Sequence, residues 1–368
     1  MKNISVIGVG RLGLCFALTL EKAGYNVVGV DLNPEYVDAL NKRNLKSPEQ
    51  GVEETLTNSK NFVATTNLGN ALEHSNFLYV VVATPSLKNG RYDHTQIDSL
   101  VENLAAYGQQ KETKNLVICC TTMPEYCDTV ADKLFDLNYT VSYNPEFIAQ
   151  GTILRDQASP DMVLIGEDNS QVGDVIEEHY RNMTINEPIV CRMSRTEAEI
   201  TKISLNSFLT TKISFANTIG DIVKSAGYEP TKVLNAIGSD SRVGNKYLRY
   251  GFGYGGPCFP RDNRALSIYA KDKKVFALIS MAADDCNALH LGHQVEEFVQ
   301  NNDKETPLTI TEVTYKPGTT IIEESQQLLF AVRLASKGYK ITIREQKEVV
   351  DQIKKAYPDV FRYEVTDE

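Results

Sequence analysis

The chain has 368 residues, of which 42% are hydrophobic and 23% charged, so it is long enough for about two to three globular domains. Its formal net charge is −10 and it has no long basic run, which argues against nucleic acid or an anionic membrane as the main partner. No apolar stretch is long enough for a transmembrane helix, and the first residues read as a strand rather than a signal peptide.

The cysteines and histidines indicate a reducing compartment and no structural metal site. The seven cysteines are irregularly spaced without a C-x-x-C pair, and the five histidines do not cluster with them. We therefore expect a cytoplasmic enzyme without a metal, in which the odd number of cysteines leaves room for one thiol with a chemical role.

The first half of the chain alternates short β-rich runs with helical stretches. This alternation predicts an α/β fold with a doubly wound parallel sheet of the Rossmann type and right-handed crossovers. The predicted strands cover residues 4–9, 26–31, 77–82, 116–120, 140–143, 162–166 and 188–193.

A long helical segment follows at residues 194–225. It contains no proline and only one glycine, Gly220, so we expect a helix that joins two domains and offers a dimer surface. Further helices are predicted to about residue 300, followed by a small βαβ unit with strands at 307–311 and 339–343 around a helix at 325–336. The predicted domains are therefore an N-terminal domain at 1–193, a central helical domain at 194–300 and a small C-terminal α/β domain at 301–368.

The first predicted strand leads into a G-x-G-x-x-G motif formed by Gly8, Val9, Gly10, Arg11, Leu12 and Gly13. The first glycine allows the tight turn, the second lets a pyrophosphate approach the amides of the helix N-terminus, and the third permits close packing of helix and strand. Asp31 ends the second predicted strand, where a carboxylate accepts a hydrogen bond from a ribose 2′-hydroxyl and repels a 2′-phosphate. The pattern predicts NAD rather than NADP as cofactor; the alternative is a glycine-rich turn in a domain that binds no cofactor.

Lys202 and Asn206 form a second candidate pair, within the long predicted helix. Their i, i+4 spacing puts both on one face of that helix. A lysine and an amide together can hold an oxyanion or a water beside a carbon that loses hydride. The alternative is a solvated helix face without a chemical role.

A glycine-rich loop at 251–262 delivers a single cysteine, Cys258, followed four residues later by Asp262. Four glycines within six residues give a backbone that can lie against a ligand. A thiol near cationic groups becomes a thiolate that can attack an aldehyde. A buried, inert cysteine is the alternative, but such a cysteine does not need the glycine loop.

Seven motifs taken in order resemble the UDP-glucose/GDP-mannose dehydrogenase family over nearly the whole chain. They are GVGRLG at 8–13, VVATP at 81–85, TTMP at 121–124, NPEF at 144–147, AEITKISLNSFLTTKIS at 198–214, SDSRVGNKYL at 239–248 and GYGGPCFPRD at 253–262. The resemblance implies a four-electron oxidation of the C6 alcohol of a nucleotide sugar to a carboxylate with two NAD. It also implies a homodimer formed through the central helices and a C-terminal domain of the UDP-sugar-binding type.

The resemblance also implies roles for individual residues. Cys258 adds to an aldehyde to give a thiohemiacetal, which is oxidised to a thioester and hydrolysed. Lys202 and Asn206 match the oxyanion-stabilising pair, and Asp262 matches the acid that positions or activates water. The remaining positions match the family's catalytic, cofactor and substrate segments: Glu146 and Thr122 among the catalytic residues; Thr84, Thr122, Gln150 and Arg261 at the cofactor; and Glu146, Phe147, Ile148, Gln150, Lys202, Asn206, Arg242, Tyr247, Leu248, Gly251, Gly255 and Cys258 at the nucleotide sugar.

Three positions depart from the family pattern. Gln150 stands where the family usually has a second glutamate, and Arg261 stands where it usually has a lysine. In relatives an arginine that approaches the cofactor stands at the place of Glu323, so we expect either weak NAD binding or a substitute cation, for which Arg261 is the candidate. The C-terminal domain is also shorter than is usual in the family.

Two alternative functions and the choice of substrate remain open at this stage. A 6-phosphogluconate or 3-hydroxyacid dehydrogenase shares the Rossmann domain and a K-x-x-x-N pair but uses no nucleophilic cysteine. A sugar-nucleotide-binding relative without turnover is compatible with Gln150, Glu323 and the short C-terminus. Among substrates, UDP-glucose is expected because C-F-P-R-D is nearest the C-F-P-K-D pattern, while UDP-N-acetylhexosamines and GDP-mannose stay open because pocket shape decides among them.

Overall fold

A computed structural model describes residues 2–366 of the chain. Contacts divide it at Lys202 and Ile203 into two units, each described by itself below. The longest helix, α9 at Arg195–Ser225, contributes residues to both units.

The first unit contains an eight-stranded sheet with helices between the strands. Its strands in chain order are β1 Asn3–Ile7, β2 Asn26–Val30, β3 Phe62–Thr65, β4 Phe77–Val80, β5 Lys114–Ile118, β6 Tyr139–Tyr143, β7 Met162–Gly166 and β8 Ile189–Met193. The α-helices before α9 are α1 Arg11–Lys22, α2 Pro34–Asn41, α3 Val52–Asn58, α4 Leu68–His74, α5 Thr95–Ala106, α6 Tyr126–Leu134, α7 Ile153–Ala158 and α8 Ser170–Met183. A short 3-10 helix spans Phe135–Leu137.

The strand order is β3-β2-β1-β4-β5-β6-β7-β8, with all pairs from β3 to β6 parallel. The order reverses beside β1, which is the point where ligands bind in open α/β sheets of this type. Gly8 follows β1 and Asp31 follows β2, so both lie at the carboxyl ends of neighbouring strands; the amide of Gly8 donates to the carbonyl of Val30 at 2.8 Å.

Side chains from the central strands are buried on both faces of the sheet. In β4, Leu78 and Val80 belong to the hydrophobic cluster on one face, whereas Tyr79 belongs to the cluster on the other, where it packs edge-on against Phe16 of α1. Strands covered on both faces read as nearly continuous apolar runs, which explains why β4 was visible in the sequence.

The structure confirms the predicted fold class and each of the seven predicted strands, with boundaries shifted by a few residues. Two features differ from the prediction. Strand β3 was missed because it is only four residues long and buries only Phe62 and Ala64. The sheet is also not wholly parallel, since β7 pairs antiparallel with β6 at Gly166 and Tyr143 and then parallel with β8.

The second unit combines the later part of α9 with further helices and a small sheet. The helices are α10 Pro230–Gly238, α11 Phe259–Asp272, α12 Leu278–Asn301, α13 Gln326–Ser336 and α14 Lys347–Ala356. Three parallel strands, β9 Leu308–Ile310, β10 Ile341–Gln346 and β11 Arg362–Thr366, form the sheet in the order β11-β10-β9. Strands β9 and β10 with α13 between them are the predicted βαβ unit, and β11 adds a strand that was not predicted.

Within residues 2–366, no helix is long and apolar enough to cross a membrane. The same residues contain no group of three or more histidine, cysteine or acidic side chains placed to hold a metal ion. The division of the chain into domains at 193 and 300 stays a prediction.

Candidate active site

The glycine motif forms the turn from β1 into α1, and its three glycines have different reasons to be glycine. Gly8 has a φ of +89°, and a Cβ there would lie 2.6 Å from the carbonyl oxygen of Val81. A Cβ on Gly13 would lie 1.9 Å from the carbonyl oxygen of Gly8, so helix and turn touch directly. Gly10 is exposed, and nothing lies within 4 Å of its Cβ position.

This arrangement fits the pyrophosphate of NAD. The open space stands at Gly10, the N-cap residue of α1, whose first turn has no side-chain cap and no acidic residue. Amides at such a helix end attract anions because they lack intrahelical partners and lie at the positive end of the helix dipole.

Asp31 follows β2, as the sequence predicts, and is partly exposed. Its Oδ1 accepts a hydrogen bond from the amide of Asn33 at 3.0 Å, and the Asn33 side chain in turn caps α2. These bonds fix the turn after β2 and with it the direction of the carboxylate.

Arg11 and Gln150, both predicted at the cofactor, are in contact. Nη1 of Arg11 donates to Oε1 of Gln150 at 2.9 Å and lies 3.9 Å from a carboxylate oxygen of Glu49. The Glu49 side chain is only 2% exposed, and both its oxygens accept from the amide of Gly151, at 3.0 and 2.9 Å. Glu49 therefore ties the turn after Gln150 to the region of the glycine motif.

Thr122 lies in the loop after β5 and is fully buried. Its hydroxyl donates to Oε1 of Glu199 at 2.7 Å. Glu199, also fully buried, further accepts from the amides of Glu125 at 2.7 Å and Cys127 at 3.0 Å, so a side chain of α9 caps the N-terminus of α6. Burial raises the pKa of Glu199 above its usual value, and these three donors oppose that effect.

Glu146 and Lys202, both predicted as site residues, lie together. Nζ of Lys202 donates to the backbone carbonyl of Glu146 at 2.6 Å and stands 4.3 Å from the centre of the Phe147 ring. Burial raises the pKa of the Glu146 carboxyl to about 7, although the Tyr180 hydroxyl and the charge of Lys202 act in the opposite direction. Near neutral pH this carboxyl can therefore take up or release a proton.

Two further predicted residues of the first unit are buried or partly buried. Thr84 is buried at 6% exposure, four residues after β4 ends. Ile148 is partly buried and packs against the hydrophobic cluster that includes Phe16.

In the second unit, Cys258 is exposed and is the N-cap residue of α11. The N-terminus of a helix favours the thiolate over the neutral thiol through its dipole. The other cysteines are buried or partly buried, and none of the seven is in a disulfide.

Asn206 and Asp262 are in direct contact in the same unit. Nδ2 of Asn206 donates to Oδ2 of Asp262 at 2.6 Å, and both side chains are buried. Nε of Arg261 lies 3.4 Å from Oδ1 of the same carboxylate. The structure thus groups three predicted residues around the first turn of α11, next to Cys258.

Most glycines of the loop before Cys258 serve internal packing. A Cβ on Gly253 would lie 2.0 Å from Oδ1 of Asn287, one on Gly255 would lie 2.3 Å from the carbonyl oxygen of Glu324, and one on Gly256 would lie 2.3 Å from the Tyr315 ring. Only Gly251 has open space at its Cβ position among the four. Room for a ligand at the Cβ position is therefore confined to Gly251 among the four, and contact of the loop backbone with a ligand stays a prediction.

The carbonyl of Gly251 is held by side chains that the sequence did not single out. It accepts from Nε2 of His290 at 2.7 Å and of Gln294 at 3.2 Å. Nδ1 of His290 is 2.7 Å from Oδ2 of Asp221. The loop is thus fixed from α9 and α12 at the residue that leaves room for a ligand.

Three other predicted substrate residues lie on the segment between α10 and α11. Arg242 is exposed and forms a two-point ion pair with Asp240, while Leu248 is buried. Tyr247 is 46% exposed and has a positive φ of 63°. Glu323, the departure near the C-terminus, is exposed, and its carbonyl accepts from the amide of Gly256 at 3.0 Å.

Sequence reasoning missed Glu49, Glu199 and His290. Glu199 had a usable signal, because it lies three residues before Lys202 on the same predicted helix. Glu49 and His290 had none, since each contacts a segment distant in sequence.

Comparison with known proteins gives a consistent result. The family model for the NAD binding domain of the UDP-glucose/GDP-mannose dehydrogenase family matches residues 2–184, and that for its central domain matches residues 196–289. A GDP-mannose 6-dehydrogenase of Pseudomonas aeruginosa is 30% identical over 357 residues, which cover 93% of this chain and 80% of that protein. A UDP-glucose 6-dehydrogenase of Bacillus subtilis is 26% identical, covering 98% of this chain and 81% of that protein.

Solved structures agree with these matches. A UDP-glucose dehydrogenase from Pyrobaculum islandicum superposes with a TM-score of 0.89 at 25% identity, covering all of this chain and 86% of that one. The glycine motif, the carboxylate after β2 and the family model for the N-terminal domain point to the same cofactor, NAD. The chain therefore belongs to the UDP-glucose/GDP-mannose dehydrogenase family of NAD-dependent nucleotide-sugar dehydrogenases and is an NAD-dependent oxidoreductase.

Proposed function

We propose that the protein oxidises the C6 alcohol of a nucleotide sugar to the carboxylate with two NAD, through a covalent intermediate on Cys258. UDP-glucose is the proposed substrate and UDP-glucuronate the product. GDP-mannose is the second candidate, because the 30% identical relative bears the name of a GDP-mannose dehydrogenase.

NAD supplies the hydride acceptor for both oxidations. We assign its pyrophosphate to the turn at Gly8, Gly10 and Gly13, and its adenosine ribose to Asp31. We keep Thr84 and Thr122 as cofactor residues, because both follow strands that neighbour β1 or β4 at the carboxyl edge of the sheet.

Cys258 carries the part of the reaction that a simple alcohol dehydrogenase lacks. Its thiolate adds to the C6 aldehyde, and the carbonyl oxygen takes a proton to give the thiohemiacetal. Loss of a second hydride and of the hydroxyl proton yields a thioester, and water then cleaves the C–S bond to release the acid and the thiol. The exposure of Cys258 at the N-terminus of α11 supports this role.

Lys202 and Asn206 are proposed to stabilise the oxyanion on C6. Both are buried polar groups with hydrogen-bond partners in their own unit, so they are held in place before substrate arrives. Asp262 is proposed to position the water, with its carboxylate held in place by the hydrogen bond from Asn206. Glu146 is proposed to accept the proton of that water.

The single observation that carries the proposal is the exposed Cys258 thiol beside the buried Asn206–Asp262 pair. A 3-hydroxyacid or 6-phosphogluconate dehydrogenase needs no thiol, and a non-catalytic binding protein needs no buried carboxylate held next to one. Phe147, Ile148, Tyr247, Leu248, Gly251 and Gly255 remain the proposed contacts of the nucleotide sugar, and the cytoplasmic location stays a prediction.

We expect wild-type protein to form two NADH per UDP-glucose and a Cys258→Ser variant to form no more than one. A hydroxyl is a far weaker nucleophile than a thiolate, so acid formation should fall on the order of a thousandfold or more. NADH and the acid product are to be quantified with UDP-glucose, GDP-mannose and UDP-N-acetylmannosamine in parallel.

The matched control is Cys286→Ser, a partly buried cysteine of the same unit, which should still give two NADH. Acid formation at the wild-type rate by the Cys258→Ser variant would contradict the mechanism. One NADH per sugar from wild type would instead favour an ordinary alcohol dehydrogenase, and no NADH with any of the three sugars would favour a binding protein.

Asp31 should make the protein select NAD over NADP. Two like charges about 4 Å apart repel by about 1 to 4 kcal/mol at a partly desolvated site, which corresponds to roughly 5- to 800-fold in kcat/KM. We expect Asp31→Asn to lose most of this preference, measured as the ratio of kcat/KM with the two cofactors. Asp38→Asn, an exposed carboxylate on α2 paired with Lys42, is the control and should keep the ratio; equal efficiency with NADP in wild type would show that Asp31 does not meet the ribose.

Glu146 should give the reaction an acid limb near pH 7. Because burial raises its pKa from 4.5 to about 7, it is mostly neutral at pH 6 and mostly ionised at pH 8. A base works only when ionised, so kcat should rise about tenfold per pH unit below 7 and level off above it. Glu146→Gln should lower kcat about 100- to 10,000-fold and abolish the limb.

The pH profile is to be measured from pH 5.5 to 9 under saturating substrates, with Glu178→Gln as control. Glu178 is an exposed carboxylate paired with Lys2, so its removal should leave the profile unchanged. An acid limb that survives in Glu146→Gln would assign the titration to another group.

We propose that the protein is a homodimer formed through the central helices. On α9, Phe208, Phe215 and Ile222 are exposed by 62%, 48% and 60% and recur every seven residues, which places them on one stripe of the helix. Leu278, Ile279 and Leu289 of α12 are also largely exposed. An apolar stripe of this length is typical of a protein interface, and Arg242 is proposed to reach the partner's substrate.

Light scattering should give the wild-type protein a mass of about twice 41.0 kDa. A Phe215→Lys substitution puts a charge into the stripe and should shift the mass toward the monomer, whereas Ile185→Lys, at a more exposed position of the first unit, should not. A monomeric wild type would reject the dimer.

A further inference from the structure

We propose that the side chain of Arg11 is a ligand of the NAD pyrophosphate, and that Gln150 keeps its charge available for that purpose. This inference goes beyond the proposed function, because the glycine motif alone assigns only backbone amides to the pyrophosphate. It concerns cofactor binding and does not depend on the identity of the sugar.

The position of Arg11 carries the first part of the argument. It is the first residue of α1 and follows Gly10, the residue with open space at its Cβ position. Its side chain is 37% exposed, so the guanidinium lies at the surface of the turn and not in the core. A guanidinium offers several N–H donors in a planar fork that matches phosphate oxygens.

The partners of Arg11 carry the second part. Its one short hydrogen bond among those the structure gives is to Oε1 of Gln150, a neutral amide, at 2.9 Å. The nearest carboxylate, Glu49, is 3.9 Å away, and both its oxygens already accept from the amide of Gly151. The guanidinium is thus held in one direction by a neutral amide, while its ion pair with Glu49 has the long N–O distance of 3.9 Å.

The residue type at position 150 matters for this balance. A glutamate in place of Gln150 would put a carboxylate within hydrogen-bond distance of Arg11. That carboxylate would neutralise the guanidinium and repel the pyrophosphate, two effects of the same sign. An amide of the same shape orients Arg11 without either cost.

A cation at the glycine motif could also replace the charge of the family arginine that is missing at Glu323. The sequence led us to expect Arg261 as the substitute for a missing arginine at the cofactor. Arg261 lies beside the buried carboxylate of Asp262, whereas Arg11 stands on the glycine motif itself with an amide as its close partner. Arg11 is therefore the better-placed cation for the pyrophosphate.

The test is to measure dissociation constants for three probes by calorimetry: NAD, ADP-ribose, which keeps the pyrophosphate, and adenosine, which has no phosphate. Arg11→Gln should weaken NAD and ADP-ribose about tenfold or more, since a hydrogen bond to a charged group is lost, and leave adenosine unchanged within about twofold. Gln150→Glu should weaken the same two probes, although it inserts the residue usual in the family. The control is Arg155→Gln. Arg155 is an exposed arginine at the third position of α7, paired with Asp156, and its substitution should leave all three dissociation constants unchanged.

Thermal unfolding midpoints show whether each variant is folded, and Arg11→Lys, which keeps the charge but not the fork, should fall between wild type and Arg11→Gln. The proposal is overturned if Arg11→Gln binds ADP-ribose as wild type does, or if it weakens adenosine equally, which would indicate a distorted turn. If the Gln150→Glu variant binds NAD as tightly as wild type or more tightly, Gln150 does not keep the charge of Arg11 available. Because the readout is binding, a failure here leaves the NADH count with nucleotide sugars, and so the proposed function, untouched.

Discussion

The buried polar side chains of helix α9 impose the constraint that fixes two loops of the first unit, those of Thr122 and Glu146. A carboxylate removed from water costs on the order of several kcal/mol unless donors surround it, and Glu199 is fully buried. The chain meets this cost with the Thr122 hydroxyl and the amides at the start of α6. One turn later, Lys202 meets the same requirement with the carbonyl of Glu146. The loops that carry Thr122 and Glu146 are thus held to one helix by hydrogen bonds whose loss would leave buried polar groups unsatisfied, at a cost in stability.

Glycine has two different uses in this protein, and only one of them makes room for a ligand. At Gly13 and Gly256 a side chain would collide with the protein itself, so these residues allow two segments to touch. At Gly10 and Gly251 the space at the Cβ position is open. The glycine pattern in the sequence does not distinguish a glycine that packs against the protein from one that leaves space for a ligand.

This difference explains how much of the site could be predicted from sequence. The turn after β1 and the position of Asp31 follow from local pattern, because a strand, a tight turn and a helix are encoded by neighbouring residues. The direction of β7 and the role of Glu49 do not, because each depends on a pairing with a distant segment: Gly166 with Tyr143, and Glu49 with Gly151 some hundred residues away. Family resemblance pointed to Thr122 and Glu146 as site residues but gave no reason for their surroundings, which came only from the contacts of Glu199 and Lys202.

The surroundings of Glu146 show why those contacts matter for chemistry. An ammonium next to a carboxyl lowers its pKa, and burial raises it; at Glu146 burial prevails, and the pKa is about 7. Lys202 donates to the backbone carbonyl of the same residue and faces the Phe147 ring, so its charge is held by a dipole and an aromatic face. A cation fixed in this way can favour an oxyanion while the neighbouring carboxyl still exchanges a proton near neutral pH. Oxyanion stabilisation and proton transfer, which make opposite demands on the local charge, are therefore compatible within one small group of residues.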